Sequence, residues 1–255
     1  MDSNSLLIGL SRQVALQREL DVVSNNIANI NTTGFKADNS LFEEYLSPTA
    51  RTGAPTQNKV SFVLDRGIWH NLSQGATQET GNPLDVAIDG KGFLVVQTPN
   101  GERYTRNGAM QIGPNGVLQT SDGYPVLGDS GPITIQQNDR QISINANGTV
   151  SVRDGDSIQD SQRGKLRLVS FDDRQSQNLT KEGSSLFAAP NGVTPQPDTA
   201  SRFVQGAIEK SNVTGVIEIT RMIEITRNYD QVAAMMKQQG DMRSSAIDKL
   251  ADVQS

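Results

Sequence analysis

SNNIANINTTGFKAD, running from Ser24 to Asp38, closes a stretch with helical periodicity and then interrupts it at a glycine. Asn25, Asn26, Asn29 and Asn31 share these turns with Ile27, Ala28 and Ile30. Asparagine is a poor helix former because its short amide bonds to nearby backbone, and it tolerates left-handed conformations, so it suits a helix end. Asn29 or Asn31 is expected to help stop the helix, with Gly34 supplying a positive φ in the turn before Phe35. For Asn25 and Asn26, beside the short Ala28, two readings stand. Their amides bond a neighbouring chain's backbone at close range, or they are satisfied locally and by solvent.

Upstream of this segment Leu16, Leu20, Val23, Ile27 and Ile30 step by 4, 3, 4 and 3 residues, a heptad seam. Leu7, Leu10 and Val14 form a second apolar row, offset by about a third of a turn. The other end of the chain carries a longer seam through Met222, Ile225, Tyr229, Val232, Met236, Gln239, Arg243, Ala246, Leu250 and Val253, with polar breaks at Gln239 and Arg243. Val216, Ile217, Ile219 and Ile223 widen its apolar surface, and Thr214 is the expected N-cap. Glu218 with Arg221, and Glu224 with Arg227, are expected as i,i+3 pairs on the exposed side. One partner helix cannot cover both rows of the first segment. The second row therefore points to neighbouring copies or related chains, and to ends that stay loose until assembly.

Glycine and proline sort the chain into two helical ends and a broken middle. All ten prolines lie between Pro48 and Pro197, whereas residues 1–30 contain only Gly9 and residues 216–255 only Gly240. Within the middle, LDVAI, FLVVQ, GPITIQ, RQISIN, GTVSVR and GKLRLVSF read as short strands, and five Asn-Gly pairs fit the positive φ angles of tight turns. SRFVQGAIEK reads as one more strand, and residues 31–80 are less regular. The expected fold class is α+β, with N- and C-terminal helices pairing as a coiled-coil-like core domain and an inserted antiparallel β-domain. Its expected parts are residues 1–30 and 214–255 as the helical core, 31–80 and 200–213 as a connecting domain, and 81–199 as the β-domain.

Composition narrows the function. A net charge of −5, from 23 basic and 28 acidic residues, gives no electrostatic case for nucleic acid or anionic membrane. No run of 18 apolar residues exists to span a bilayer, MDSNSLLIGLSRQ lacks a signal peptide's basic start and apolar run, and the absence of cysteine excludes disulfides. No catalytic, cofactor or metal site is expected. His70 stands beside Trp69 without a nucleophile or ligand spacing, and reads as packing or surface. RDGDSIQD, with Asp154, Asp156 and Asp160, lacks the glycine and bidentate glutamate of a calcium loop. IDGKGF is no phosphate loop. Asp172 and Asp173 would face opposite sides of a strand, although a hydrolase using either is the residual enzymatic alternative.

With these residues in place, the chain resembles the bacterial flagellar basal-body rod proteins. SNNIANINTTGFKAD is similar to their N-N-[LI]-A-N-x-x-T-x-G-[FY]-[KR] signature, GNPLDVAIDGKGFLVVQTPNGERYTRNGAMQIGPNGVLQTSDGYPVLG to their β-region, and QGAIEKSNVTGVIEITRMIEITRNYD to their C-terminal helix. The matches follow the family's order and cover nearly the whole chain. Gly215 departs from the helix-favouring residues common after S-N-V-T. YTRNGAMQIGPNG and the length look most like the proximal-rod subunits, with the distal-rod subunits close behind. The resemblance implies a non-catalytic, cofactor-free subunit whose helical ends, Leu7 to Ile30 and Met222 to Met236, assemble into a tubular, torque-transmitting shaft in the periplasm. It also implies other rod subunits, of its own and neighbouring kinds, as partners, together with the type III export apparatus, which takes its substrates without a cleaved signal. A different class, an extracellular binding or adhesive module with merely dimerising helices, remains the alternative.

Overall fold

The computed structural model describes residues 2–47, 60–154, 160–183 and 185–252. Two long helices, Asp2–Ala28 and Gly215–Asp252, flank a run of short strands, and the chain is α+β. It divides into two compact units. The first comprises Met1–Ile27, Asp38–Trp69 and Thr214–Ser255; the second comprises Ala28–Ala37 and His70–Val213. Strands Asp38–Ser47 and Val60–His70 pair as a two-stranded ribbon, so the described residues of the stretch expected to be less regular include regular strands.

The second unit is organised by Phe93–Thr98, one of the two middle strands of a six-stranded sheet. Its hairpin partner, Gly101–Thr105, pairs Leu94 with Thr105 and Thr98 with Gly101 across a turn in which Gly101 takes φ 103°. Successive side chains on a strand point to opposite faces, and this strand is buried on both. Phe93 and Val95 enter an aromatic cluster with Tyr104, Phe171 and Phe187, where Tyr104 and Phe171 meet edge-on at 4.9 Å. Leu94 and Val96 enter the other cluster, with Val86, Ile88, Leu118, Val126, Val150 and Phe203. Neighbouring strands keep the same alternation: Phe187 and Val169 join the first cluster, while Leu186 and Leu168 pack against the second.

Several elements differ from the sequence expectation for local reasons. SRFVQGAIEK is two strands, Arg202–Gln205 paired with Val86–Asp89 and Ala207–Glu209 paired with Thr77–Glu79, because Gly206 turns the chain at φ 76°. GKLRLVSF divides between Asp160–Lys165 and Leu168–Ser170, which belong to different sheets. Asp172 and Asp173 are not on a strand: Asp172 precedes a short helix, Asp173–Ser176, whose Ser176 N–H bonds the Asp172 carbonyl.

The second unit also holds a fully buried charge cluster that joins remote segments. Lys36, Arg106 and Glu209 are 1%, 2% and 0% exposed. The Glu209 carboxylate accepts from Lys36 Nζ, from the Gly75 N–H at 2.9 Å, and from Arg106 Nε at 2.8 Å. Arg106 also donates to the carbonyls of Gly90 at 2.8 Å, of Ile88 at 3.1 Å and of Gly92, and Lys36 to that of Ser73 at 2.7 Å. Burial pushes the Lys36 ammonium below its ordinary pKa while Glu209 pulls it the other way. Gly34, at φ 69°, lies so close to the Arg106–Asn107 backbone that a Cβ there would sit 2.4 Å from the Arg106 carbonyl carbon. Phe35, fully buried, has the Lys181 ammonium 3.5 Å from its ring centre.

Two outcomes are expected in urea denaturation of the second unit. Gly34→Ala costs more than the ~1–2 kcal/mol of left-handed backbone strain, since the backbone of Arg106 and Asn107 must also move; a loss below 1 kcal/mol contradicts the close packing. Glu209→Gln leaves two buried cations without their anion and costs about 3–5 kcal/mol. Lys36→Met, which keeps Glu209 paired with Arg106, costs about 1.5–3 kcal/mol, and the reverse ranking contradicts this account.

Candidate assembly interface

The first unit sorts the apolar side chains of both helices into covered and uncovered rows. Leu16, Val23, Ile225 and Val232 are buried in one cluster, against which Leu20, Ile27, Met222, Tyr229 and Met236 pack half-buried. Gly9 lies against Met236: a Cβ at that position would sit 3.0 Å from Met236 Cγ, so the methionine side chain would have to yield by a few tenths of an ångström. Ile30 packs instead in the second unit, against Phe35, Ala37 and Val213. Of the C-terminal seam, Gln239 is half-buried, Arg243 and Ala246 are exposed, and the Leu250 side chain and Val253 fall outside the described residues.

Asn26 answers the question posed by its own segment. It is fully buried, and its amide faces the first strand of the ribbon as another strand would. Nδ2 donates to the Asp38 carbonyl at 2.8 Å, and the Asp38 N–H donates to Oδ1 at 2.9 Å. Nδ2 also donates to Glu218 at 3.2 Å, in the first turn of the C-terminal helix. Neither a neighbour's backbone nor solvent takes this amide. Asn25 and Ala28 lie on the exposed side of the helix, and Asn29 accepts from the Thr32 hydroxyl at 3.1 Å in the turn that follows.

The exposed pair expected between Glu218 and Arg221 is absent, because both side chains are drawn inward across the unit. Glu218 is buried with Asn26. Arg221 donates to Glu19 at 2.9 Å and to Asn39 at 3.1 Å, tying the C-terminal helix to the N-terminal helix and to the ribbon. Thr214 directly precedes the helix, its carbonyl accepting from Ile217 and Glu218.

The uncovered surface includes apolar rows. Leu7, Leu10 and Val14 are 51%, 50% and 53% exposed. On the C-terminal helix Val216, Ile217, Ile219, Ile223, Met235 and Met242 are exposed, and on the ribbon Leu41, Ile68 and Trp69. Among the described residues, only Ile112 and Val204 of the exposed large hydrophobics lie in the second unit. A monomer rarely shows so much apolar surface without a partner.

Among the described residues, those weighed for chemistry belong to no group that could hold a metal ion. His70 is buried edge-on to Phe187, with Nε2 3.1 Å from the Leu179 carbonyl, an acceptor that requires the proton on that nitrogen. Asp172 is exposed. Asp156 falls outside the described residues, within which no cluster of metal-ligating side chains occurs, and no helix is long and apolar enough to cross a membrane. Sequence reasoning missed the Lys36–Glu209–Arg106 cluster. Its one signal was a charged residue two places after Ala207 on a strand, hence on the same face as a buried alanine.

Segments of both units match family models. Residues 6–36 match the family model for flagella basal body rod proteins, residues 87–152 that for the flagellar hook protein FlgE/F/G D1 domain, and residues 204–249 that for the flagellar basal body rod FlgEFG C-terminal region. The flagellar basal-body rod protein FlgF of Caulobacter vibrioides is 41% identical, over 98% of this chain and 99% of the relative. FlgF of Mesorhizobium japonicum is 35% identical, over 97% of this chain and 98% of the relative. The rod protein FlgG of Bacillus subtilis is 34% identical, over 88% of this chain and 90% of the relative. Helices, ribbon and buried charge cluster thus lie in a sequence aligned almost end to end with such proteins, and the chain belongs to the flagellar basal-body rod protein family.

Proposed function

We propose that this chain is a structural subunit of the flagellar basal-body rod, whose terminal helices form a coiled-coil-like core domain and assemble with other rod subunits into a tubular shaft. The observation that carries this reading is the segregation of exposed apolar surface onto the helices and ribbon. Leu7, Leu10 and Val14 on one helix, and Val216, Ile219 and Ile223 on the other, offer different rows to different neighbours. Different patches meeting head to tail give an open polymer rather than a closed dimer, which favours a shaft over an adhesive dimer. Leu16, Leu20, Val23 and Ile27, with Met222, Ile225, Tyr229, Val232 and Met236, hold the helices together within one subunit.

In this reading residues 1–30 and 214–255 form the helical core, 31–80 and 200–213 the connecting region and 81–199 the outer β-domain. Relatives named FlgF, at 41% and 35% identity, support the proximal rod over the distal. The subunit works in the periplasmic part of the basal body, passes torque through its packed helices, reaches that place through the type III export apparatus and catalyses no reaction.

Assembly and internal packing separate by mutation. Leu10→Asp and Val14→Asp change exposed side chains and leave subunit stability within about 0.5 kcal/mol, yet should remove the protein from isolated basal bodies and abolish motility. Normal incorporation of both variants would overturn the proposal. Asn26→Ala, which strips Asp38 and Glu218 of their partner, should cost about 1–3 kcal/mol. Val232→Asp should cost at least as much by placing a carboxylate in the apolar cluster. Hydrogen exchange should report both losses in the helices and ribbon, with the second unit unaffected.

A further inference from the structure

The buried charge cluster does more than stabilise a finished fold. The turn after the N-terminal helix is held locally by short-range bonds: the Thr32 N–H bonds the Asn29 carbonyl at 3.1 Å, the Thr32 hydroxyl the Asn29 side-chain carbonyl at 3.1 Å, and the Phe35 N–H the Thr32 carbonyl at 3.3 Å. Its remaining anchors come from far along the chain. The Gly34 N–H donates to the Glu209 carbonyl at 2.8 Å, and Lys36 reaches the Glu209 carboxylate across 173 residues of sequence. Arg106 meets the same carboxylate from 103 residues away. Without Glu209, Lys36 and Arg106 would be two buried cations facing each other, an arrangement that burial penalises steeply.

We propose that Lys36, Arg106 and Glu209 form a completion latch. The turn at residues 31–37 stays unformed until the late strand Ala207–Glu209 arrives, and the two segments then order in a single step. Glu209 is the one group that engages every part: the turn through its backbone carbonyl and Lys36, the loop at Gly75 through that N–H, and the Thr105–Gly108 segment through Arg106. Loops of this length close slowly because their entropy is lost before the contact forms. The hairpin of Phe93–Thr98 with Gly101–Thr105 closes through a short turn and needs no such partner. The turn at residues 31–37 therefore becomes ordered only in a molecule whose synthesis or, on the proposed function, passage has reached residue 209.

Pulsed hydrogen exchange during refolding of the full-length chain tests the order of events. Amides of residues 31–37 should gain protection in the same kinetic phase as those of 207–210, and after those of 93–105. Protection of 31–37 in a phase preceding 207–210 would overturn the latch. At equilibrium, Glu209→Gln should speed exchange by at least about tenfold in 31–37 and 73–76 together, and by more than in 93–105. Speeding confined to one of those segments counts against the proposal. If Glu209→Gln does not fold, Lys36→Met decides: faster exchange in 31–37 and 207–210 together supports the single step, and a change in only one of them refutes it.

Discussion

One carboxylate, that of Glu209, stands between two buried cations, and the second unit is arranged around it. A buried ion pair gains little over well-packed apolar groups, but losing one member leaves an uncompensated charge. That asymmetry sets the geometry of everything nearby. Gly34 must be glycine to let the turn lie against Arg106, the carbonyls of Ile88, Gly90 and Gly92 must converge on the Arg106 guanidinium, and Gly75 must approach Glu209 by its own N–H. Three stretches that look unrelated in sequence, TTGFK, YTRNG and GAIEK, are the walls of one polar site inside an apolar unit.

Around this site the packing follows from the two-fold period of a strand. Phe93–Thr98 serves two clusters at once, so its apolar residues run on rather than alternate. A run of this kind has the pattern of a strand buried on both faces, and here each face receives different partners: mainly aromatic rings on one, aliphatic chains on the other.

The helical unit obeys the opposite logic. Its covered cluster is enough to hold two helices together, and its polar anchors, Asn26 with Glu218 and Arg221 with Glu19, fix their register. Its outward rows are left for other chains. Apolar packing and a few polar anchors lie between the helices, and exposed apolar rows interrupt an otherwise largely polar exterior, which suits the proposed subunit whose neighbours complete it.

Periodicity and punctuation in the sequence were sufficient to establish the two helical ends, the β-rich middle and several of its strands, because these depend on local spacing. The three separated signatures likewise sufficed for the family. Tertiary structure alone decided which groups those signatures bring together. It turned Asn26 inward onto Asp38 and Glu218, drew Arg221 across to Glu19 instead of along its own helix, and broke SRFVQGAIEK at Gly206 so that Glu209 faced the interior. The physical reason is that an inward-turned polar group is defined by its partners, and these partners lie 12 to 202 residues away, beyond the reach of any local pattern.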